Sequence, residues 1–508
     1  YSGAQLDRYM DFFRVHLKVA CEATQDVNIQ QAGNKFLADI EALFDRLVEL
    51  ESLPHDAKYE VERSLRCIRL LTYLYQRKKM KLYRKYAFYL CSMHKQLGNR
   101  TELAHSLLLV ANSFDYSDAL IGPHHVDQSF QFPPQTATTR KIALMKKAVE
   151  AFDESKYWEN SVEVLEDISE AYKHEVYSYA LLPSLHSQIA AYWDKVIKTE
   201  RIFNAYYRVA FFGKGFDNMS CKEYIYRSGK GLHLESVRDF TLRIKDKYAD
   251  AYVENSSDLP KEKYLPGGNE EKKKYIQITT LNCSSKDEYN GLPVWYNRDG
   301  LPSNVLKYHQ NNETNIWSYT RVDKEKQKKA KKGDNEYRHL WVWKSYLIGQ
   351  LKLPSYSRII EVIERNNLLI NPLENAVMIL RQKNLEIRQI IKRITQKANE
   401  LKASGLLTET SDIGIGPLSL NLSGVIDAAV MGGVDKYKEA FFDGTYIQEY
   451  PDHAPFILQF RQAMVDQVEV LTEGLDLFGR YCQESLKPLL EHLKSTFRKM
   501  KSGLNWMY

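Results

Sequence analysis

The chain has 508 residues, and 44% of them are hydrophobic. A chain of this length is too long for a single core, so we expect two to four structural units. Its 71 basic residues nearly balance its 65 acidic ones, and a net charge of +6 argues against a dedicated nucleic-acid-binding protein. No apolar run reaches the roughly 18 residues that a membrane-spanning helix requires, and no signal peptide is visible.

The six cysteines are far apart and form no C-x-x-C pair, so the sequence predicts neither a zinc site nor a disulfide framework. Reduced cytoplasmic thiols are the simplest interpretation. No H-E-x-x-H and no G-x-S-x-G motif occurs, and the 13 histidines are scattered. No covalent reaction is indicated, and we expect no cofactor and no metal.

Residues 1–200 are predicted to form a helical-repeat lobe. Apolar residues recur at spacings of three and four, and Pro54, Gly98-Asn99 and Gly122-Pro123 interrupt them. The predicted helices are Leu6–Ala23, Ile29–Leu53, Tyr59–Leu97, Thr101–Ser113, Arg140–Phe152, Tyr157–Tyr172 and Ala180–Thr199. The helix pairs resemble a tetratricopeptide-like array without a fixed period, and such arrays often dimerise or bind partners.

Residues 201–368 have the composition of a mostly antiparallel β lobe, because short segments are rich in Tyr, Trp, Val and Ile. Ile276 and Ile278 alternate with polar residues, as in a half-buried strand. The predicted strands are Tyr206–Phe212, Tyr224–Tyr226, Tyr275–Leu281, Asn315–Val322, Tyr337–Ile348 and Ser357–Ile363. The connection 323–334 contains a run of lysines, which is compatible with a nuclear-targeting signal or with contact to an anionic membrane. We favour the interpretation that this run is a solvated hairpin loop.

Residues 369–508 are predicted to form a four-helix bundle lobe, which makes the fold mainly α with a β lobe. One long helix carries a single buried stripe of Leu373, Val377, Leu380, Asn384, Ile387, Ile391 and Ile394. Asn384 interrupts this stripe, either as a core asparagine hydrogen-bonded across the bundle or as a contact to a partner. Two more helices are predicted around Phe456–Gly474 and over Leu475–Lys499.

We expect the rest of the chain to be organised around the stretch Leu418–Phe442, which contains Ala429-Val430-Met431-Gly432-Gly433. A glycine costs about 1 kcal/mol relative to Ala in a helix interior, and adjacent glycines usually mark the end of a helix. We therefore predict a short loop that presents Val430 and Met431 between two helices. Considered alone, the pattern also suits a glycine-terminated helix with two core residues.

This stretch, PLSLNLSGVIDAAVMGG followed by KYKEAFF, resembles the signature of the DOCK (dedicator of cytokinesis) family in its second homology region. Matching stretches follow the family's order at Tyr207–Phe216, Glu223–Arg227, Pro372–Val377, Leu471–Gly474 and Leu486–Leu493. The resemblance runs from about Tyr157 to the C-terminus. Residues 1–150 resemble the family only in their general helical pattern. It implies a guanine-nucleotide exchange module for a Rho-type GTPase, with a helical-repeat lobe, a β lobe and a four-helix lobe in that order.

The resemblance also implies roles for the loop residues. The family's nucleotide-sensing valine corresponds to Val430, and Gly432 and Gly433 allow the backbone to approach closely. The other predicted site residues are Ala429 and Met431 in the loop, and Asn384, Lys436, Tyr437 and Phe441 as GTPase contacts. The predicted partner is a nucleotide-free Rac-like GTPase, with the chain as a cytoplasmic homodimer that binds no nucleic acid and reaches membranes only through segments outside this sequence.

The implied mechanism is steric. A small GTPase holds its nucleotide together with Mg²⁺, which demands near-ideal octahedral oxygen ligation. An apolar side chain pushed into that place offers no oxygen and excludes water. Because metal and nucleotide are coupled, displacing one weakens the other. This activity needs no proton donor or nucleophile, in agreement with the lack of catalytic motifs.

One departure from the family concerns Ala428, which stands where many relatives have proline, so the preceding helix is expected to run on. Two other function classes are considered. An interaction scaffold would use the loop as a structural element only. A phosphate-handling enzyme would use Gly213-Lys214-Gly215 or Gly229-Lys230-Gly231, but neither has the spacing of a phosphate-binding loop.

Overall fold

The computed structural model describes residues 3–24, 26–123, 130–229, 234–292, 294, 301–328, 334–405, 413–429 and 433–504. By its internal contacts the chain divides into two compact units. Unit 1 comprises residues 1–317 and 347–364, and unit 2 comprises residues 318–346 and 365–508. The chain is rich in helices with a central β region, which confirms the predicted fold class.

The N-terminal part of unit 1 is helical, as predicted. Its helices are α1 (Gly3–Glu22), α2 (Val27–Glu51), α3 (Glu60–Gln76), α4 (Met80–Gln96), α5 (Arg100–Ala111), α6 (Ala137–Glu154), α7 (Trp158–His174) and α8 (Leu182–Lys198). The single helix predicted over Tyr59–Leu97 is wrong, since α3 and α4 are separate. Lys78 adopts a left-handed conformation with φ 55°, and Lys79 N–H donates to Leu74 O at 2.9 Å. This Schellman-type pattern ends α3.

Successive helices from α1 to α8 pack against each other along the chain. The contact residues of α2 to α8 form one continuous core that includes Leu70, Leu74, Ala87, Cys91, Ala104, Leu107, Val110, Leu144, Ala148, Phe152, Leu165 and Ile168. Packing between neighbours in sequence is the arrangement that a helical-repeat array requires.

The β region follows the helices. The strands β1 (Leu120–Ile121) and β2 (Gln135–Thr136) form a separate pair. The larger sheet contains β3 (Tyr206–Phe212), β4 (Lys222–Arg227), β5 (Ala251–Asn255), β6 (Lys274–Ser284), β7 (Thr314–Val322), β8 (Val342–Leu353) and β9 (Ile359–Ile370). Its order is β3-β4-β9-β8-β7-β6-β5, and β3 also pairs with β6. Strand β3 is antiparallel to β4 and β6, and β4 to β9, whereas β5 is parallel to β6.

Strands β7, β8 and β9 have residues in both compact units. The type of element changes between Lys198 and Tyr206 and again at Asn371. The predicted lobe limits 1–200, 201–368 and 369–508 lie close to these changes in element type. We propose these limits as domain boundaries.

The prediction that β6 is half-buried is wrong, because its polar residues Gln277 and Thr279 are buried as well. Arg208 of β3 is also buried, and its Nη1 donates to Gln277 Oε1 at 2.9 Å and to Thr279 Oγ1 at 3.2 Å. The same guanidinium pairs with Glu223 at 2.8 Å. A buried polar side chain is tolerated where it is hydrogen-bonded, and Arg208 supplies these bonds.

The strand predicted over Tyr337–Ile348 is wrong in its first part. Residues Glu336–His339 form a 3₁₀ turn, and β8 begins only at Val342. The side chain of Asn335 starts this turn by accepting a hydrogen bond from Tyr337 N–H at 3.1 Å. Local side-chain hydrogen bonds of this kind compete with strand pairing.

Several short helices in the β region were not predicted. They are α9 (Val237–Lys247), α10 (Lys286–Tyr289), α11 (Ser303–Asn311) and α12 (Lys324–Gln327). For α9 the sequence carries a signal, because Ser236 caps the helix by accepting from Asp239 N–H at 3.2 Å. Phe240 and Ile244, four residues apart, are both buried.

The Gly213-Lys214-Gly215 segment has a packing role. Gly213 has φ +98°, and a Cβ at this position would lie 1.8 Å from Lys273 O. Only glycine fits a left-handed conformation against a neighbouring backbone. Of the second glycine–lysine segment, Lys230 and Gly231 lie outside the described residues.

After the sheet, the described part of unit 2 contains the helices α13 (Pro372–Ala403), α14 (Ile415–Ala428), α15 (Val434–Phe441), α16 (Thr445–Glu449), α17 (Ala454–Tyr481) and α18 (Lys487–Gly503). Helices α13, α14, α17 and α18 pack on one another around one core, as the bundle prediction requires. All seven residues of the predicted stripe on α13 are buried.

The helix boundary predicted at Gly474 is wrong, because α17 continues through this residue to Tyr481. A Cβ on Gly474 would lie 2.9 Å from Leu422 Cδ2 and 3.5 Å from Ile391 Cδ1. The glycine therefore lets α17 approach α14 and α13 closely. Close packing here offsets the low helix propensity of glycine.

A buried ion pair links the helices and the sheet of unit 1. Arg227 of β4 and Glu102 of α5 are 2.6 Å apart, with side chains only 3% and 1% exposed. Arg227 Nη2 also donates to Tyr157 Oη at 3.0 Å and to Asn204 Oδ1 at 2.9 Å. Burial alone would raise the pKa of Glu102, but the charge of Arg227 and then that of Arg358 lower it to about 2.

We predict that Arg227→Met lowers the free energy of unfolding of the chain by about 3–5 kcal/mol, because it leaves Glu102 as a buried charge without its partner. Urea unfolding curves would measure this loss. Asp194→Asn is the matched control, since the Lys198–Asp194 pair is exposed and such pairs contribute about 0–1 kcal/mol. The double variant Glu102→Gln/Arg227→Met should recover part of the stability. A loss no larger than that of the control would contradict the prediction.

Candidate functional site

The candidate site is the connection between α14 and α15 in unit 2. Leu418, Leu422 and Ile426 hold the inner face of α14 in the bundle core. The helix runs on to Ala428, as expected from the absence of proline there. Ala429 keeps right-handed helical angles of φ −65° and ψ −41°. Val430, Met431 and Gly432 lie outside the described residues, so the structure describes the two flanks of the loop.

Gly433 is the second flank. Its angles, φ −62° and ψ −44°, are those of a right-handed helix, which any residue adopts. The need for glycine comes from a close contact instead, because a Cβ at Gly433 would lie 2.6 Å from Ala428 O and 3.3 Å from its carbonyl carbon. The backbone at the end of α14 and the backbone before α15 therefore meet at this glycine.

Helix α15 follows directly and has two different faces. Val434, Ala440 and Phe441 are buried against the bundle, while Lys436 is exposed. Tyr437 lies between the two faces and packs on Phe460, with ring centroids 5.2 Å apart. Burial, and then the neighbouring Tyr337, raise the pKa of Tyr437 to about 12, so the hydroxyl is neutral at physiological pH.

The segment Asn335–Trp341 of unit 2, called here the 335–341 segment, contacts the outer face of α15. Asn335 Nδ2 donates to Lys436 O at 2.7 Å, and Lys436 Nζ lies 2.9 Å from Glu336 Oε1. The rings of Tyr337 and Tyr437 are stacked, with centroids 4.8 Å apart and an interplanar angle of 18°. The hydrogen bond to Glu336 is the first cause of a raised pKa at Lys436.

The same segment contacts α16 and the start of α17. Arg338 donates to Thr445 Oγ1 at 2.7 Å and lies 2.8 Å from Glu449 Oε2. The Trp341 ring is 5.9 Å from the Tyr450 ring and 5.6 Å from the His453 ring. Sequence reasoning missed this segment as part of the site. The available signal was Asn335, a residue typical of turns, in front of an aromatic run.

The remaining predicted site residues are inside the bundle. Asn384 is 1% exposed, and its Nδ2 donates across the bundle to Ala463 O at 2.9 Å and to Asp466 Oδ2 at 3.0 Å. This is the core-asparagine alternative. Phe441 is also 1% exposed, and its ring lies 5.0 Å from that of Tyr446. The structure thus places Lys436, Tyr437 and Phe441 on α15, beside the predicted loop. Asn384 and Phe441 are buried in the bundle core, so they are not available for direct contact with a GTPase.

The chemistry available around the connection is that of a binding surface. Among the described residues no group of three or more His, Cys, Asp or Glu side chains could hold a metal ion. Within the same ranges, no helix is both long and apolar enough to cross a lipid bilayer. The described flanks offer apolar packing, backbone and exposed side chains of both charges, with Lys436 and Lys438 beside Asp435 and Glu439, which suits steric and electrostatic contact with another molecule.

Comparison with known proteins places the site in context. Residues 406–507, which include α14, α15 and their connection, match the family model described as DHR-2, Lobe C. Dedicator of cytokinesis protein 4 of Homo sapiens is 28% identical over 477 residues, covering 94% of this chain and 22% of that protein. Dedicator of cytokinesis protein 3 of Mus musculus is 28% identical over 485 residues, covering 95% and 22%. DOCK-like protein 1 of Saccharomyces cerevisiae is 24% identical over 424 residues, covering 82% and 20%. The chain thus spans about a fifth of the length of these relatives.

We predict that Gly433→Ala destabilises the α14–α15 connection by roughly 1–3 kcal/mol, because the new Cβ meets backbone atoms that have little room to move. Thermal unfolding and hydrogen exchange of the α15 amides would show the effect. Gly424→Ala is the matched control on α14, since its Cβ would have no heavy atom within 4 Å. In the control, alanine should stabilise the helix by up to about 1 kcal/mol. Equal behaviour of the two variants would contradict the close contact.

Proposed function

Because the chain belongs to the dedicator of cytokinesis (DOCK) family, through its second homology region, we propose that it is a guanine-nucleotide exchange module for a Rho-family small GTPase. The observation that carries this proposal is the match over residues 406–507, which covers the whole α14–α15 connection. The collinear motifs from Tyr207 to Leu493 support it. A Rac-like GTPase is the proposed partner, on the basis of the Val430-Met431-Gly432-Gly433 sequence.

In the proposed mechanism the loop enters the nucleotide site of the GTPase. Val430 acts as the nucleotide sensor, since its apolar side chain gives Mg²⁺ no oxygen ligand and leaves no room for water. Loss of the metal weakens the bound GDP by linkage. Incoming GTP with its own Mg²⁺ then competes with the loop, which releases the loaded GTPase. Ala429, Met431, Gly432 and Gly433 hold the loop that carries the valine.

The free energy that holds the nucleotide is too large for the loop alone to offset, so a wider contact surface with the GTPase is required. A nanomolar nucleotide complex is held by roughly 12 kcal/mol, and a specific protein interface buries on the order of 1,600 Å². We propose Lys436 and the edge of Tyr437 as part of this surface, because the Lys436 side chain is 49% exposed. Asn384 and Phe441 contribute by shaping the bundle beneath it.

Val430→Ala is expected to slow GDP release about tenfold or more, because it removes two apolar carbons worth about 0.8 kcal/mol each when buried. The measurement is release of fluorescent GDP from a panel of purified Rho-type GTPases, with Rac-like members expected to respond best. Leu420→Ala is the control, since Leu420 lies on α14 with 74% of its surface exposed. The chain should also bind nucleotide-free GTPase more tightly than the loaded form.

Two outcomes would count against this function. An unchanged rate in the Val430→Ala variant would reject the sensor role. Affinity for the GTPase that does not depend on nucleotide state would instead favour the interaction scaffold, in which the loop is only structural.

We also propose that the chain acts in the cytoplasm as a homodimer through its helical part, with membrane recruitment by other parts of a longer protein. Trp193 and Ile197 support a contact surface on α8, because they are four residues apart and about half exposed. The double variant Trp193→Ala/Ile197→Ala is expected to shift the mass measured by light scattering from dimer to monomer. Leu120→Ala, at another exposed leucine, is the control that should stay dimeric. A wild-type monomer would contradict the proposal.

A further inference from the structure

We propose that the 335–341 segment is a positioning element for the α14–α15 loop, with Tyr337 and Arg338 as its positioning residues. The inference rests on the proposed function, because nucleotide exchange is the activity that the segment would influence. Neither residue is proposed to touch the nucleotide. Each acts by fixing the helices that follow the loop.

Three kinds of contact join the 335–341 segment to α15. A side-chain amide holds the backbone, since Asn335 Nδ2 donates to Lys436 O at 2.7 Å. An ion pair holds the side chain, with Lys436 Nζ 2.9 Å from Glu336 Oε1. The stacked rings of Tyr337 and Tyr437 fill the space beside them. A hydrogen bond, a charge and a flat ring face together restrict both sliding and rotation of the helix.

The contacts of the 335–341 segment continue along the chain beyond α15. Next to Tyr337, Arg338 bonds to both ends of α16, through Thr445 at 2.7 Å and Glu449 at 2.8 Å. Arg338 also lies 3.5 Å from Asp443, in the turn between α15 and α16. Trp341 then packs against His453, which immediately precedes α17. One short segment therefore contacts each successive element from α15 to the start of α17.

Helix α15 is too short to fix its own position. It has eight residues, about two turns, and helices this short are not stable on their own in water. Its position must come from packing, with the bundle against Val434, Ala440 and Phe441 and the 335–341 segment on the outer side. Since α15 begins directly after Gly433, any displacement of the helix displaces the end of the loop.

Steric displacement depends strongly on such placement. A misplacement of about 1 Å, even one caused far from the reacting atoms, lowers rates by about 100-fold in well-studied enzymes. An element that restricts the flank of the loop therefore influences the exchange rate without contributing to the affinity for the GTPase. This separation of rate from affinity distinguishes a positioning residue from a residue of the docking surface.

The test compares Tyr337→Ala with Tyr337→Phe, which keeps the stacked ring. Loss of an aromatic pair changes the equilibrium between the packed and displaced positions of a helix by about threefold to tenfold. We therefore expect Tyr337→Ala to lower kcat for GDP release by that factor. KM for the GTPase should stay constant. Tyr337→Phe should restore the rate. In a Val430→Ala background the Tyr337→Ala change should have no further effect, because both act through the same side chain.

A charge exchange separates positioning from docking at Lys436. Glu336→Lys and Lys436→Glu should each slow exchange. The double variant should recover part of the rate, because the ion pair is re-formed with reversed charges while the proposed contact of Lys436 with the GTPase stays lost. If the effect of Lys436 came only from contact with the GTPase, the double variant would stay slow, and the role of this pair in positioning would be overturned.

Hydrogen exchange of the Val434–Phe441 amides gives a readout that is independent of activity. Faster exchange in Tyr337→Ala than in Tyr337→Phe is expected. Unchanged exchange, or a fully additive effect with Val430→Ala, would overturn the inference while leaving the proposed function intact. A wild-type chain with no activity on any GTPase of the panel would instead overturn the proposed function.

Discussion

The close contact between Gly433 and the carbonyl of Ala428 determines how the candidate site is built. It brings the backbone at the end of α14 against the backbone at the start of α15. Helix α14 is itself held where it is by the glycine at position 474, which admits Leu422 into the surface of α17. Two glycines thus act here through the absence of a Cβ, and both have a role in packing that is separate from chain flexibility.

Three arginines of this chain fix neighbouring elements. Arg227 joins a helix to a strand, Arg208 satisfies two buried polar side chains of β6, and Arg338 joins a turn to α16. The arginine fork supplies several directed hydrogen bonds at once, which a lysine does not. Such a distribution of charge agrees with a protein whose proposed activity requires placement of an apolar group and no proton transfer.

The sequence was most informative where a regular pattern coincided with burial. The stripe on α13 is an example, since spacing alone predicts all seven buried positions, Asn384 included. Gly474 was misread as a helix boundary because propensity describes an isolated helix, whereas the side chain it lacks would have met Leu422. Tyr337 was assigned to a strand because aromatic residues favour strands. The hydrogen bond from its own amide to Asn335 decided otherwise.

For the candidate site, local patterns predict a loop at Val430 and Met431, whereas long-range contacts leave no signal in the local sequence. Tyr337 and Tyr437 are separated by a hundred residues, and nothing in either local sequence indicates that the rings stack. The family resemblance did not help, because its motifs end before this segment and begin again after it. The residues that position a loop are those that pack against its flanking helices, and such contacts between distant parts of the sequence are visible only in the three-dimensional structure.

A loop with adjacent glycines has a thermodynamic disadvantage as a steric device. Fixing the backbone of one residue costs about 1–2 kcal/mol at 25 °C, and glycine loses more freedom than other residues. A loop between two freely moving helices would lose most of its insertion energy in becoming ordered. Packing of α14 in the bundle and of α15 between the bundle and the 335–341 segment fixes both ends before a partner binds. The proposed steric mechanism therefore relies on the packing of α14 and α15 in unit 2, which holds both ends of the predicted loop in place.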